Sequence, residues 1–128
     1  MGRPVSNPAR RKRKTRHVLV VEREEAICNL IRDVLGDIGL PVSCAANAAA
    51  ARALLQRRRF ALALVEMVLS DEDGEKLGAE LAARGVAIVL MSGHPAGIER
   101  GEASSFTFLP KPFRSKELLR AVLDTIGA

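Results

Sequence analysis

The sequence predicts a doubly wound α/β domain, a five-stranded parallel sheet with helices on both faces, and three observations carry that prediction. Continuous apolar runs, HVLVV at residues 17–21, ALALV at 61–65 and VAIVLM at 86–91, have the composition of strands buried on both faces. Stretches with helical spacing lie between them. Strand and helix alternate along the chain, which selects parallel pairing with right-handed crossovers. At 128 residues, 48% of them hydrophobic, the chain suffices for one such domain and not for two.

The first strand runs from His17. Ile27, Leu30, Ile31, Val34, Leu35 and Ile38 then recur at helical spacing until Gly39 and Pro41 stop the helix. Residues 42–45 make a short second strand, and an alanine-rich helix capped by Asn47 extends to Arg58. The third strand, ending at Val65, leads through the loop SDEDG into a helix over about residues 75–84 with Leu77, Leu81 and Ala82 on its apolar stripe. After the fourth strand, Pro95, Gly97 and Gly101 leave room for only a short helix around Ile98. The fifth strand covers 106–109, and Ser115 caps a last helix bearing Leu118, Leu119, Val122 and Ile126.

Charge divides the chain differently. Arg3, Arg10, Arg11, Lys12, Arg13, Lys14 and Arg16 lie in the first sixteen residues, which hold no acid; the remainder carries 13 basic against 15 acidic residues. Residues 1–16 lack apolar periodicity and are expected to be a disordered basic tail, with the domain at 17–128. Such a tail can bind nucleic acid or an anionic surface through charge alone. No run of about 18 apolar residues is present to span a bilayer, and the basic N-terminus lacks the apolar core of a secretory signal. The expected location is cytoplasmic. Cys28 and Cys44 fall in no CxxC pair and are expected to be free thiols, and His17 and His94 are too few and too far apart for a metal site. No nucleophile constellation points to a hydrolase or an oxidoreductase.

Open parallel sheets bind ligands beyond the carboxyl ends of their strands. That singles out Glu22 and Arg23 after the first strand, Glu66 after the third, Ser92 after the fourth and Lys111 after the fifth. In this frame HVLVVEREEAICNLIRDVL, FALALVEMVLSDEDG, VLMSG and FLPKPF follow one another. From about His17 to Ala128 the chain resembles the receiver domain of two-component response regulators, including the receivers of hybrid histidine kinases. The resemblance implies a flavodoxin-like fold with strand order 2-1-3-4-5. It also implies an acidic pair that holds Mg²⁺ beside an acceptor aspartate, and a hydroxyl and a lysine that engage the phosphoryl group. Ser92 and Lys111 match the last two, Phe108 stands at the aromatic switch position, and Pro112 is expected to follow a cis peptide bond.

Three positions depart from the family pattern. Glu66 stands at the acceptor position, its carboxylate displaced by roughly one bond length, and in-line phosphoryl transfer tolerates such displacement poorly. Arg23 replaces the second pocket acid, where a cation repels a metal and can neutralise Glu66 or Glu22. Ser70 replaces the usual loop proline, and the segment before the last strand is a few residues short. The expectation is a pseudo-receiver: a non-enzymatic, phosphorylation-independent interaction module with no catalytic residue and with Mg²⁺ binding lost or weak. Its partner would be a signalling protein such as a histidine kinase or an output protein, and a homodimer is possible through the fourth helix, fifth strand and fifth helix. If Glu66 imitates a phosphoryl group it should bond to Ser92 or Lys111 and draw Phe108 inward; if it pairs with Arg23, the pocket is locked. Two alternatives are a nucleic-acid-binding protein whose affinity resides in the tail, and a receiver phosphorylated at Asp71 or Asp73.

Overall fold

The computed structural model describes residues 16–127; the expected disorder of the tail falls on positions that lie, apart from Arg16, outside them. Five strands, β1 (Val18–Val21), β2 (Val42–Ala45), β3 (Leu62–Glu66), β4 (Ala87–Ser92) and β5 (Thr107–Pro110), form one parallel sheet in the order β2-β1-β3-β4-β5. Between and after them run α1 (Glu25–Gly36), α2 (Ala48–Leu55), α3 (Gly74–Ala83), α4 (Pro95–Ala103) and α5 (Ser115–Ile126).

Side-chain alternation along the strands divides the core into two layers. Val18, Val20, Leu62 and Leu64 pack with Ile31 and Leu35 of α1 and Leu118 and Val122 of α5. Leu19, Val21, Ala63 and Val65 pack on the other face with Ala48 and Ala51 of α2 and Leu77 and Leu81 of α3. Both faces of β1 and β3 are thereby buried, which is why these strands read as continuous apolar runs.

Three local expectations are corrected. The helix around Ile98 is not a stub: α4 has nine residues, one more than α2. Pro95 lies in its first turn, where a missing N–H costs nothing, and Gly97 and Gly101 lie buried on one side of it rather than breaking it. Ser115 is the first helical residue of α5 and not its cap; Arg114 holds that position, and its backbone N–H donates to Glu117 Oε1 at 2.8 Å. Cys28 and Cys44 are not free thiols but are joined as a disulfide between α1 and β2, with a Cα–Cα distance of 6.3 Å. Their separation of sixteen residues gives no pairing signal; the packing of α1 over β2 brings them together. Asn47, by contrast, caps α2, its side chain accepting from the Ala50 N–H at 2.8 Å.

Candidate functional site

All five strands deliver their carboxyl ends to one edge of the sheet, and the polar ends of β1, β3 and β4 are buried there. Glu22, Glu66 and Ser92 are 4%, 5% and 0% exposed and are the polar or charged residues in the interior among the described residues. A buried carboxylate is costly unless paired and hydrogen-bonded. Lys111, just beyond β5, supplies the pairing: its Nζ lies 2.5 Å from Glu22 Oε1 and 2.5 Å from Glu66 Oε1. The second oxygen of each carboxylate accepts a backbone N–H, Glu22 Oε2 from Glu24 and Glu66 Oε2 from Val68, both at 3.0 Å. Glu24, largely exposed, adds a distant contact with Nζ at 3.8 Å.

The reach of Lys111 depends on Gly93. Order β2-β1-β3-β4-β5 sets β4 between Lys111 and both carboxylates, so the lysine stem must cross the end of β4. Ser92 O accepts the Lys111 backbone N–H at 2.9 Å, and a Cβ on Gly93 would come within 3.2 Å of Lys111 Cβ. The Lys111–Pro112 peptide is cis. Burial alone would depress the ammonium's pKa, but the hydrogen bonds to Glu22 and Glu66 outweigh it and the net shift is upward.

Arg23 is where expectation and structure part. Its side chain is exposed, and it joins no ion pair among the described residues, neither with Glu66 nor with Glu22. The short turn closed by Glu22 Oε2 and the Glu24 N–H sends Glu22 inward and leaves Arg23 in solvent. Ser92 is close to the pocket yet does not bond to Glu66: its Oγ accepts the His94 N–H at 3.2 Å, and His94 in turn caps α4 through Nδ1 to the Ala96 N–H. Phe108 is half-buried and packs with the α2–α3 face of the core. Glu66 thus engages Lys111 and not Ser92.

Glycines that sequence reasoning took only as helix breakers hold α4 against these two residues. A Cβ on Gly97 would collide with Ser92 Oγ, and one on Gly101 with the ring of Phe108. Their spacing of four residues, which puts both on one helix face, was the available signal. Gly74 plays a similar part at the start of α3: a Cβ there would overlap the carbonyl oxygen of Glu66.

The loop between Glu66 and α3 is pinned at three points, and its acids are committed outside the pocket. Asp71 accepts from the Ala48 and Ala49 N–H groups at the start of α2, each at 3.0 Å, and these bonds hold its carboxyl below the usual range. Glu72 pairs with Arg52 at 2.7 Å, and Asp73 with Arg100 at 3.1 Å while capping α3. No cluster of three or more histidine, cysteine or acidic groups able to hold a metal is found among the described residues. Lys111 Nζ is bonded to both pocket carboxylates, so a Mg²⁺ ion would have to compete with the ammonium for them.

Residues 18–123 match the family described as response regulator receiver domain. Protein PetR of Rhodobacter capsulatus is 35% identical over 107 residues, covering 80% of this chain and 45% of that protein. Transcriptional regulatory protein AruR of Pseudomonas aeruginosa is 35% identical over 118 residues, covering 85% of this chain and 48% of that protein. The chain therefore spans about half the length of these two relatives. Among solved structures, the signal receiver domain of an HD domain-containing protein from Pseudomonas fluorescens Pf-5 superposes with a TM-score of 0.76 at 25% identity, covering 87% of this chain and 94% of that one.

Proposed function

Since the chain belongs to the response regulator receiver domain family, we propose that it is a phosphorylation-independent interaction module of two-component signalling, its acceptor pocket held shut by Lys111. The single observation that carries this reading is the ammonium of Lys111 between Glu22 and Glu66, all three side chains at most 10% exposed. An intact receiver needs a free carboxylate as nucleophile and a divalent cation beside it. Here the carboxylate at the acceptor position is already neutralised from within the chain, and its other oxygen is bound to the Val68 N–H. Mg²⁺ binding is lost or weak on this account, because the ion would have to displace a hydrogen-bonded ammonium.

Glu66 makes the Lys111 bond expected of a phosphoryl mimic and leaves out the Ser92 bond, while the Arg23 pair expected of a locked pocket does not form. The pocket is closed by Lys111 in place of Arg23, with one of the two contacts that a phosphoryl group would make. Signalling then rests on a constant surface recognised by a histidine kinase or an output protein, and the chain catalyses no reaction of its own. No helix among the described residues is long and apolar enough to cross a membrane; together with the family, this supports a cytoplasmic setting.

Intact-mass spectrometry tests the proposal. The chain is incubated with Mg²⁺ and acetyl phosphate under conditions that phosphorylate a receiver with an intact aspartate. No phosphoryl adduct is expected. A stoichiometric adduct that maps to Glu66, Asp71 or Asp73 would overturn the proposal and return the chain to the phosphorylated receivers.

A further inference from the structure

The end of the sheet opposite the pocket gathers exposed arginines. Arg16, Arg57, Arg58, Arg59 and Arg84 lie on the segments at this amino-end pole, with Asp33, Asp37, Glu102 and Asp124 on the helix ends around them. Carbonyl ends of α2 and α3 point to this pole, and a basic residue at each would complement their partial charge. Three consecutive arginines after α2, with a fourth after α3, exceed that need.

These arginines border a groove. A concavity of about 730 Å³ lies between the α2–β3 and α3–β4 turns, lined by Arg58, Arg59 and Arg84 over Phe60, Val86 and Ile126. Among the described residues Arg59 has no carboxylate partner, and Arg84 has only the exposed helix pair with Glu80 at 3.6 Å. Arg58 contacts the His17 ring at 2.7 Å, and His17 is held below its usual pKa by burial and then by the charge of Arg58. The histidine accordingly positions the guanidinium without neutralising it. Arg16, one residue before His17, joins this pole to the segment that carries six more cations and no acid.

We propose that the amino-end groove, lined by Arg58, Arg59 and Arg84 and by no acid, is a phosphate-backbone binding surface for nucleic acid. Guanidinium forks match phosphate oxygens bidentately, and neutralising phosphates along a polyanion gains from release of its condensed counterions. A lipid surface fits less well: the apolar floor of the groove, Phe60 and Val86, is buried and cannot insert into a bilayer, and the exposed large hydrophobic residues, Leu30, Ile38, Val68 and Leu123, lie outside it. No element enters a base-reading groove, so binding is sequence-independent. It uses the pole away from Lys111 and does not depend on the state of the pocket.

The test is fluorescence anisotropy of a short labelled DNA duplex with the full chain over a series of salt concentrations. Arg59→Ser with Arg84→Ser, which leaves the Arg58–His17 contact in place, is compared with Arg32→Ser with Arg120→Ser, which removes the same charge from α1 and α5. The groove variant should bind at least about tenfold more weakly at low salt and lose about two from the log–log salt slope. The control variant should stay near wild type, Arg59→Lys with Arg84→Lys should keep the wild-type salt slope while binding less tightly than wild type and more tightly than the serine variant, and circular dichroism should match throughout. Equal loss in the two serine variants would overturn the groove as a site. So would a groove variant that binds like wild type, or binding of wild type to phosphatidylserine vesicles with none to DNA.

Discussion

Replacing Lys111 with methionine is expected to destabilise the chain by about 3 kcal/mol, because it leaves two carboxylates buried without a cation. Glu22 and Glu66 would keep their backbone N–H bonds and lose the only cation paired with them among the described residues. For a domain of this size such a loss corresponds to a fall in Tm of about 12 °C. Combining Lys111→Met with Glu22→Gln and Glu66→Gln should recover most of it, since the amide oxygens can still accept the Glu24 and Val68 backbone donors.

The pH dependence of that difference follows from the Lys111 shift. Its pKa in the folded state is raised, so its contribution to stability is fully present below the ordinary lysine value of about 10.4. The contribution is lost as the pH rises through the folded-state value. Urea midpoints of wild type and Lys111→Met should therefore differ by a constant amount between about pH 7 and 9 and converge above about pH 10.4. Convergence near neutrality would mean that the ammonium is not the partner that stabilises the two carboxylates.

Gly74→Ala is expected to cost about 3 kcal/mol or more, at the upper end of overpacking effects. The added Cβ would overlap the Glu66 carbonyl oxygen and carbon and Met67 Cα, all backbone atoms that cannot rotate away. Only a shift of the β3–α3 junction would relieve it, and that shift carries Glu66 with it. Two other glycines calibrate the effect by urea denaturation. Gly78→Ala, whose Cβ would meet Ile88 Cγ2 and Leu90 Cδ2 at 3.3 Å, should cost less because side chains can give. Gly36→Ala, in open space at the end of α1, should be stabilising by about 0.5–1 kcal/mol through helix propensity. A Gly74→Ala protein as stable as wild type would show that the junction yields easily.

The strands were legible because burial on both faces leaves an unbroken apolar run, as in Leu62–Val65 and Ile88–Met91. Their polar ends marked the site for the same reason: Glu22, Glu66 and Ser92 are the residues at which burial continues after apolar character stops. Which cation would meet Glu66 was not legible. Arg23 is adjacent in sequence to Glu22, whereas Lys111 lies 89 residues away from it and crosses a strand end to arrive. Sequence proximity favours the first; the turn at Glu22–Glu24 and the clearance over Gly93 select the second. The α4 glycines were misjudged on similar grounds, because propensity counts a glycine as a breaker while packing against Ser92 and Phe108 requires one. The Cys28–Cys44 bond depends on how α1 lies over β2, which no local pattern encodes.

The central claim is that Lys111 holds the pocket closed to metal and phosphoryl chemistry, and amide NMR of the full chain tests it most directly. Spectra are recorded with Mg²⁺ alone and then with Mg²⁺ and beryllofluoride, which on an aspartate mimics the acyl phosphate. The account predicts no shift at Glu66, Ser92, Lys111 or Phe108 in either titration; saturable shifts at those four residues would contradict it.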